Sequence, residues 1–313
     1  MFGYLIRRTM AVIPVMLTVT VLVFLLLRLT PGDPAAIIAG DAATPEQLER
    51  IRQSLGLADP IHTQFLTWSK SLLHGDLGTS VISNTPVVTL IGQRIWPTLN
   101  LALLTIALAI VVAVPIGVVA AWRHRSWIDR AIMSFSVLGF SIPVFVVGYV
   151  LIKLFAIDLR WLPVQGYMPP SQSLVGFLQR ALLPALTLGT IYIALIARMT
   201  RASMLDVLGE DYIRTARAKG IPERLVLFRH ALRNAAVPIL TIVGTGFALL
   251  ISGVVVTESV FNIPGIGRLT VDAVLARDYP VIQAMILLTS GIYVVINLLI
   301  DLSYSLFDPR IRY

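Results

Sequence analysis

Five or six apolar stretches, each close to the roughly 20 residues a helix needs to cross a bilayer, dominate this chain and leave few folds open to it. They fall at about 10–29, 98–122, 131–157, 181–199, 238–257 and 281–303. Hydrophobic residues make up 57% of the sequence and charged ones 13%, far from the balance of a soluble domain. The predicted class is an all-α membrane protein with six transmembrane helices. Six spans put both termini on one side, and the distribution of basic residues chooses which. With the termini and the 123–130 and 198–237 loops inside, the inner face holds fifteen of the 25 basic residues and seven of the 17 acidic ones. Ten of each remain outside, so the whole net charge of +8 sits on the inner face and the reading is N-in/C-in.

A basic excess can signal nucleic acid, but here it is dispersed over the short loops of a membrane protein, which excludes that partner and leaves the lipid bilayer. With no cysteine there is no disulfide, thiolate metal site or thiol nucleophile. Arg7 and Arg8 precede an apolar run of about 18 residues, longer than a cleavable signal core. It reads as a retained first span, with cleavage near Ala39 the lesser alternative.

The polar segment 30–93 carries helix punctuation. Thr44-Pro45-Glu46-Gln47 fits a capping box, with Gly56 placed to close that helix. Asp59-Pro60 opens another, in which Phe65, Trp68 and Leu72 share a face and Gly75 can end it. A small helical subdomain leaning on the membrane domain is expected. His62, His74 and Asp76 lack the spacing of a metal site and read as surface residues.

The longest polar interruption of the second half is 210–238, EDYIRTARAKGIPERLVLFRHALRNAAVP. It reads as two short helices and a tight turn. Glu210 and Asp211 open the first, Arg214, Arg217 and Lys219 crowd its end, Gly220 suits a left-handed cap, and Pro222 restarts a helix at its first position. In the second helix Ile221, Leu225, Phe228 and Leu232 are predicted to share a face flanked by Arg229 and Arg233. An oily ridge with a basic rim suits docking onto another protein. A helix resting on anionic headgroups is the alternative, which the Gly-x-Pro corner disfavours.

Tyr212-Ile213-Arg214-Thr215-Ala216-Arg217-Ala218-Lys219-Gly220, followed by Arg229-His230-Ala231-Leu232-Arg233-Asn234 and Pro238, resembles the coupling loop of type I ABC-importer permeases, most nearly that of the B-type subunits of the dipeptide, oligopeptide and nickel branch. The general motif has Glu-Ala-Ala, three residues, then Gly; Arg214 and Thr215 replace its first two positions, while Ala216 and Gly220 match. Pro31-Gly32-Asp33-Pro34, Leu55-Gly56-Leu57 and His74-Gly75-Asp76-Leu77-Gly78 are similar to that branch's outer segment. So are 257–269 (TESVFNIPGIGRL), Arg277-Asp278-Tyr279-Pro280 and the end, Asp308-Pro309-Arg310-Ile311-Arg312-Tyr313.

The resemblance implies the type I importer permease fold, divided as a first helix (1–29), an extracytoplasmic helical subdomain (30–93), a five-helix transmembrane domain (94–303) and a cytoplasmic tail (304–313). It implies a permease in the inner membrane of a bacterium, paired as a heterodimer with a C-type permease, two cytoplasmic ATPases and an extracytoplasmic solute-binding protein. Tyr212, Arg214, Thr215, Ala216, Arg217, Lys219, Gly220, Pro222, Phe228 and Arg229 would form the ATPase-coupling surface. Glu258, Pro264, Gly265, Gly267 and Arg268 would shape the outer mouth; from their charges Glu258 and Arg268 are expected to pair, with a structural use over substrate contact.

The spans carry Pro143 with Gly148, Pro115 with Gly117, Pro184 with Gly189, Gly244 with Gly246, and Gly253, which suit helices that shift against one another. Lys153, close to an outer end, is expected to snorkel. Polar candidates for a pathway are Ser141, Thr190, Thr245, Ser252 and Asn297, together with Thr187, Thr241, Thr289 and Ser290; each can equally bond its own helix backbone. No chain of buried acids marks a proton route, which weakens an ion-coupled carrier. A scaffold that recruits a partner without moving solute is the third reading. There is no Gly-Lys pair of a phosphate loop and no Gly-x-Ser-x-Gly or His-Glu-x-x-His motif, so no enzyme and no cofactor of its own is expected, with ATP and Mg held by the partner subunits. Dipeptide, oligopeptide, glutathione-like compound and nickel chelate stay open as substrates.

Overall fold

The computed structural model describes residues 2–29, 35–36, 44–54 and 59–307. Among them the chain is helical, with a single isolated bridge between Thr79 and Pro86 and no strand. The principal helices are α1 (Phe2–Leu29), α2 (Pro45–Ser54), α3 (Ile61–Leu73), α4 (Val87–Trp122), α5 (Trp127–Ser141), α6 (Val144–Asp158) and α7 (Leu174–Leu208). They continue with α8 (Asp211–Ala218), α9 (Glu223–Asn234), α10 (Ala236–Gly253), α11 (Val255–Val260), α12 (Ile266–Leu275) and α13 (Tyr279–Phe307).

Four helices, α1, α4, α7 and α13, are long and apolar enough to cross a membrane unbroken. Two further pairs qualify only as bent spans: α5 with α6 at 102°, and α9 with α10 at 64°. The first bend has a local cause. Ile142 precedes Pro143 and is pushed into the extended region (φ −89°, ψ 125°), so α5 ends and α6 starts afresh behind Pro143. At the second, Pro238 has no N–H for the Asn234 carbonyl, and its ring crowds that oxygen. Other intrahelical prolines do not break their helices: α4 runs through Pro97 and Pro115, and α7 through Pro184. The boundary drawn at 93/94 falls inside α4, which begins at Val87.

α4 and α7 form the most extensive helix pair, and α5, α6 and α10 pack around α7. Their shared core reaches from Leu101 and Leu183 to Ala121 and Met204. A second cluster joins Val87 and Ile91 of α4 to Ile266 and Leu269 of α12 and to Val281 and Met285 of α13. α1 lies against α13. Arg8 pairs there with Asp301, so the start of the first span and the end of the last meet, as same-side termini require. Exposed Trp96 and Trp161 near one end, and Trp122 and Trp127 at the other, stand where membrane interfaces favour indole. The Arg123 guanidinium lies 4.5 Å over the Trp122 ring.

The polar segment follows its punctuation. Thr44 and Gln47 form a reciprocal capping box, at 3.0 and 3.3 Å. Phe65 and Trp68 of α3 hold Phe24 of α1, with ring centroids 5.1 and 5.6 Å away. His74 and Asp76 are engaged locally: His74 Nδ1 lies 2.7 Å from the Lys70 carbonyl, and Asp76 accepts the Gly78 N–H at 2.9 Å. Lys153 pairs with Asp158 at 2.8 Å. Pro31–Pro34, Leu55–Leu57, the Gly56 stop, the Ala39 region and Asp308–Tyr313 lie outside the described residues.

Candidate coupling site and outer mouth

The hairpin after α7 is built from its turn outward. Gly220 has φ +72°, the Ile221 N–H reaches the Ala216 carbonyl at 3.3 Å, and the Gly220 N–H reaches that of Arg217 at 2.9 Å. That is the paired bonding of a Schellman cap, with Ile221 packed on the core beyond it. A bidentate ion pair, Arg217 to Glu223 at 2.8 and 3.2 Å, closes the corner. Asn234 clips the two helices together through the Tyr212 hydroxyl at 2.8 Å.

Two expectations for this loop need correcting. Pro222 is the N-cap (φ −56°, ψ 137°) and α9 begins at Glu223, so Pro222 precedes the first helical position. The oily ridge is also divided. Residues Val226–Ala231 are π-helical, and the wider turn swings Val226, Leu227 and Ala231 inward. Leu225 and Phe228 are left about half exposed, while Ile221 and Leu232 pack against the protein's own core. Ile213 and Ala216 of α8 are buried as well, so the hairpin sits firmly on one end of the bundle.

What faces outward is Tyr212, Leu225 and Phe228, among exposed Arg214, Thr215, Arg217, Lys219, Arg224 and Arg229. Nine of the ten residues assigned to coupling are exposed; Ala216 serves the inner face. Leu225 was read as part of the ridge and does face outward, while Arg224, also exposed, was not singled out.

At the opposite side, Glu258 is fully buried. Its carboxylate accepts the Thr98 hydroxyl at 2.5 Å and the Arg268 main-chain N–H at 2.9 Å, with the Gly267 N–H also bonded to it. Thr98 in turn accepts the Ile266 N–H at 2.9 Å. The expected Glu258–Arg268 ion pair is therefore a main-chain contact, and the Arg268 guanidinium bonds Asn262 instead. Burial pushes the Glu258 carboxyl upward, and the Thr98, Arg268 and Gly267 donors restrain the shift. A side chain at Gly265 would collide with this carboxylate, and one at Gly267 with the Val255 backbone. This turn is thereby bolted to Thr98 of α4. Thr98 was not singled out because its partner lies 160 residues away.

Beside this turn a cleft of about 720 Å³ is lined by Gln93, Trp96, Asn100, Tyr167, Pro169 and Pro264 among others, with Asn100 bonded to the Tyr167 hydroxyl at 2.9 Å. The pathway candidates converge less. Ser141, Thr190, Thr245 and Asn297 each bond a carbonyl one turn back on their own helix, at 3.0, 3.0, 2.8 and 2.9 Å. Thr187, Thr241 and Thr289 do likewise. The Ser252 side chain lies outside the described part of the chain.

Comparison with known proteins agrees with this architecture. The model of the family described as binding-protein-dependent transport system inner membrane component matches residues 113–313, and that family's N-terminal model matches residues 1–102. A probable peptide ABC transporter permease of Sinorhizobium fredii is 54% identical over 310 residues, 99% of each chain. A putative peptide transport system permease of Brucella abortus is 47% identical over the full length of both. A glutathione transport system permease of Escherichia coli is 46% identical, again covering both completely. Similarity of this extent, over a helical bundle with a hairpin seated on one end, assigns the chain to the family of binding-protein-dependent transport system inner membrane components.

Proposed function

We propose that this chain is the multi-pass permease of an ATP-driven importer of peptides or glutathione-like solutes, and forms one half of a permease heterodimer in the inner membrane of a bacterium. In this reading it carries out no chemistry. Two cytoplasmic ATPases hold ATP and Mg, and an extracytoplasmic binding protein delivers the solute. The carrying observation is the hairpin of α8 and α9, seated on the bundle by Ile213, Val226, Leu227 and Ala231 while Tyr212, Leu225 and Phe228 face outward amid arginines. Exposed aromatic and aliphatic anchors ringed by Arg are the composition of a binding hot spot, and the basic rim suits an acidic groove. The peptide and glutathione relatives support that solute class.

The test is reconstitution of the complex recovered in mild detergent from its native membrane. Recovery should bring a second permease and ATPases, and vesicles should accumulate labelled dipeptide or glutathione only with ATP and the binding protein. Uptake that survives without the ATPases and collapses with an ionophore would overturn the proposal.

A further inference from the structure

The cytoplasmic ends of α4, α5 and α7 meet in a charge cluster outside the hairpin and the mouth. Asp129, in the first turn of α5, has only 4% of its side chain exposed, and Arg201 of α7 has 21%. The guanidinium grips the carboxylate with both arms, Nε to Oδ1 at 2.5 Å and Nη2 to Oδ2 at 2.8 Å. The Arg125 N–H donates to Oδ2 at 3.0 Å, which holds Arg125 at φ +63°. His124 Nδ1 lies 3.3 Å from Asp129 Oδ2 and 3.1 Å from Arg201 Nη2. Ser126, the N-cap of α5, accepts the Asp129 N–H. Beside the cluster, Gly117 of α4 lies so close to α7 that a Cβ there would stand 2.6 Å from that of Thr200.

These contacts bind the α4–α5 turn to the last turns of α7, and α7 is followed directly by Gly209, Glu210 and the coupling helix α8. α5 in turn ends at the 102° corner before Pro143. Motion is passed between distant sites by rigid elements joined at stiff contacts. A buried, forked ion pair is such a contact, because separating it leaves two charges without partners.

We propose that Asp129 and Arg201 are positioning residues that carry a displacement of the α8–α9 hairpin, through α7, into the α5–α6 corner. In this proposal both act only through the helices they join. The inference rests on the importer reading for the source of the displacement, while the mechanical link itself is independent of it.

The cysteine-free chain allows spin labels at two sites alone. Trp127 on α5 and Asp206 on α7 are both exposed and lie outside the hairpin surface. In the purified complex, W127C/D206C should give one narrow distance distribution, which R201K and D129N should broaden. The lysine keeps the charge but loses the fork. In the same complexes, solute moved per ATP hydrolysed should fall about tenfold, the loss of one strong bond's worth of coupling, with hydrolysis itself retained. The double variant D129N/R201Q, which buries no charge, guards against simple misfolding and should show the same broadening. A distribution as narrow as wild type in all three variants overturns the proposal, and so does a proportional loss of uptake and hydrolysis with the labels still locked. Failure of wild-type vesicles to use ATP at all would refute the importer reading, and the label widths would still decide the link.

Discussion

Two glycines show how different reasons make a residue irreplaceable. At Gly220 nothing lies within 4 Å of where a Cβ would stand, so space is free and only φ +72° restricts the choice. Asparagine tolerates that region and a β-branched residue does not. G220N should therefore retain uptake, whereas G220V, strained by about 1–3 kcal/mol, should hydrolyse ATP with little import. At Gly265 the backbone is ordinary and the space is taken by the Glu258 carboxylate. G265A should lower the melting temperature of the purified complex even though alanine is acceptable to the backbone. For Glu258 itself, E258A leaves the Thr98 hydroxyl and two N–H groups without an acceptor, a cost of about 3 kcal/mol, while E258Q keeps one acceptor and costs about 1. Thermal unfolding of the two variants side by side separates lost bonds from lost charge.

At the scale of elements, the π-helical stretch of α9 decides which side chains serve the fold and which face a partner. L227A removes a buried side chain and should cost about 2–5 kcal/mol of stability. F228A and L225A should leave melting unchanged and weaken ATPase retention by about 1–3 kcal/mol, as hot-spot truncations do; a binding titration against the purified ATPases checks both. The sequence made the hairpin and its Gly220 cap legible, because Glu210, Gly220 and Pro222 act on their own neighbours. It left Leu225 and Leu232 on one ridge because a single wide turn shifts every following side chain. The third span was legible as an apolar run, yet its 102° bend depends on Pro143 ending a helix, which Pro97, Pro115 and Pro184 do not. Long-range contacts were the least legible: Thr98 with Glu258, and Asp129 with Arg201, are joined by topology and by no local pattern.

For the whole molecule, each apolar run overlaps one of four unbroken helices or two bent pairs, although α4 and α7 extend well beyond their runs. Placement of the charges then predicts an orientation, and single cysteines can read it directly. Cysteine at Lys219 should react with an impermeant maleimide only from the cytoplasmic side, and at Asn84 only from the other. Both reacting from one side would overturn the N-in/C-in topology.

The pairing of α1 with α13 has a consequence for how the chain is made. Helices leave the ribosome from the N-terminus, yet α1 packs against α13, made some 250 residues later. Until Tyr279–Phe307 emerges, α1 has α3 against Phe24 but lacks the α13 face, with Gln283 still to come to the Val23 carbonyl. Packing of α1 against α13 thus has to wait until α13 is made. A chain truncated before Tyr279 would be inserted yet unclosed, with its first helix the piece that quality-control proteases meet.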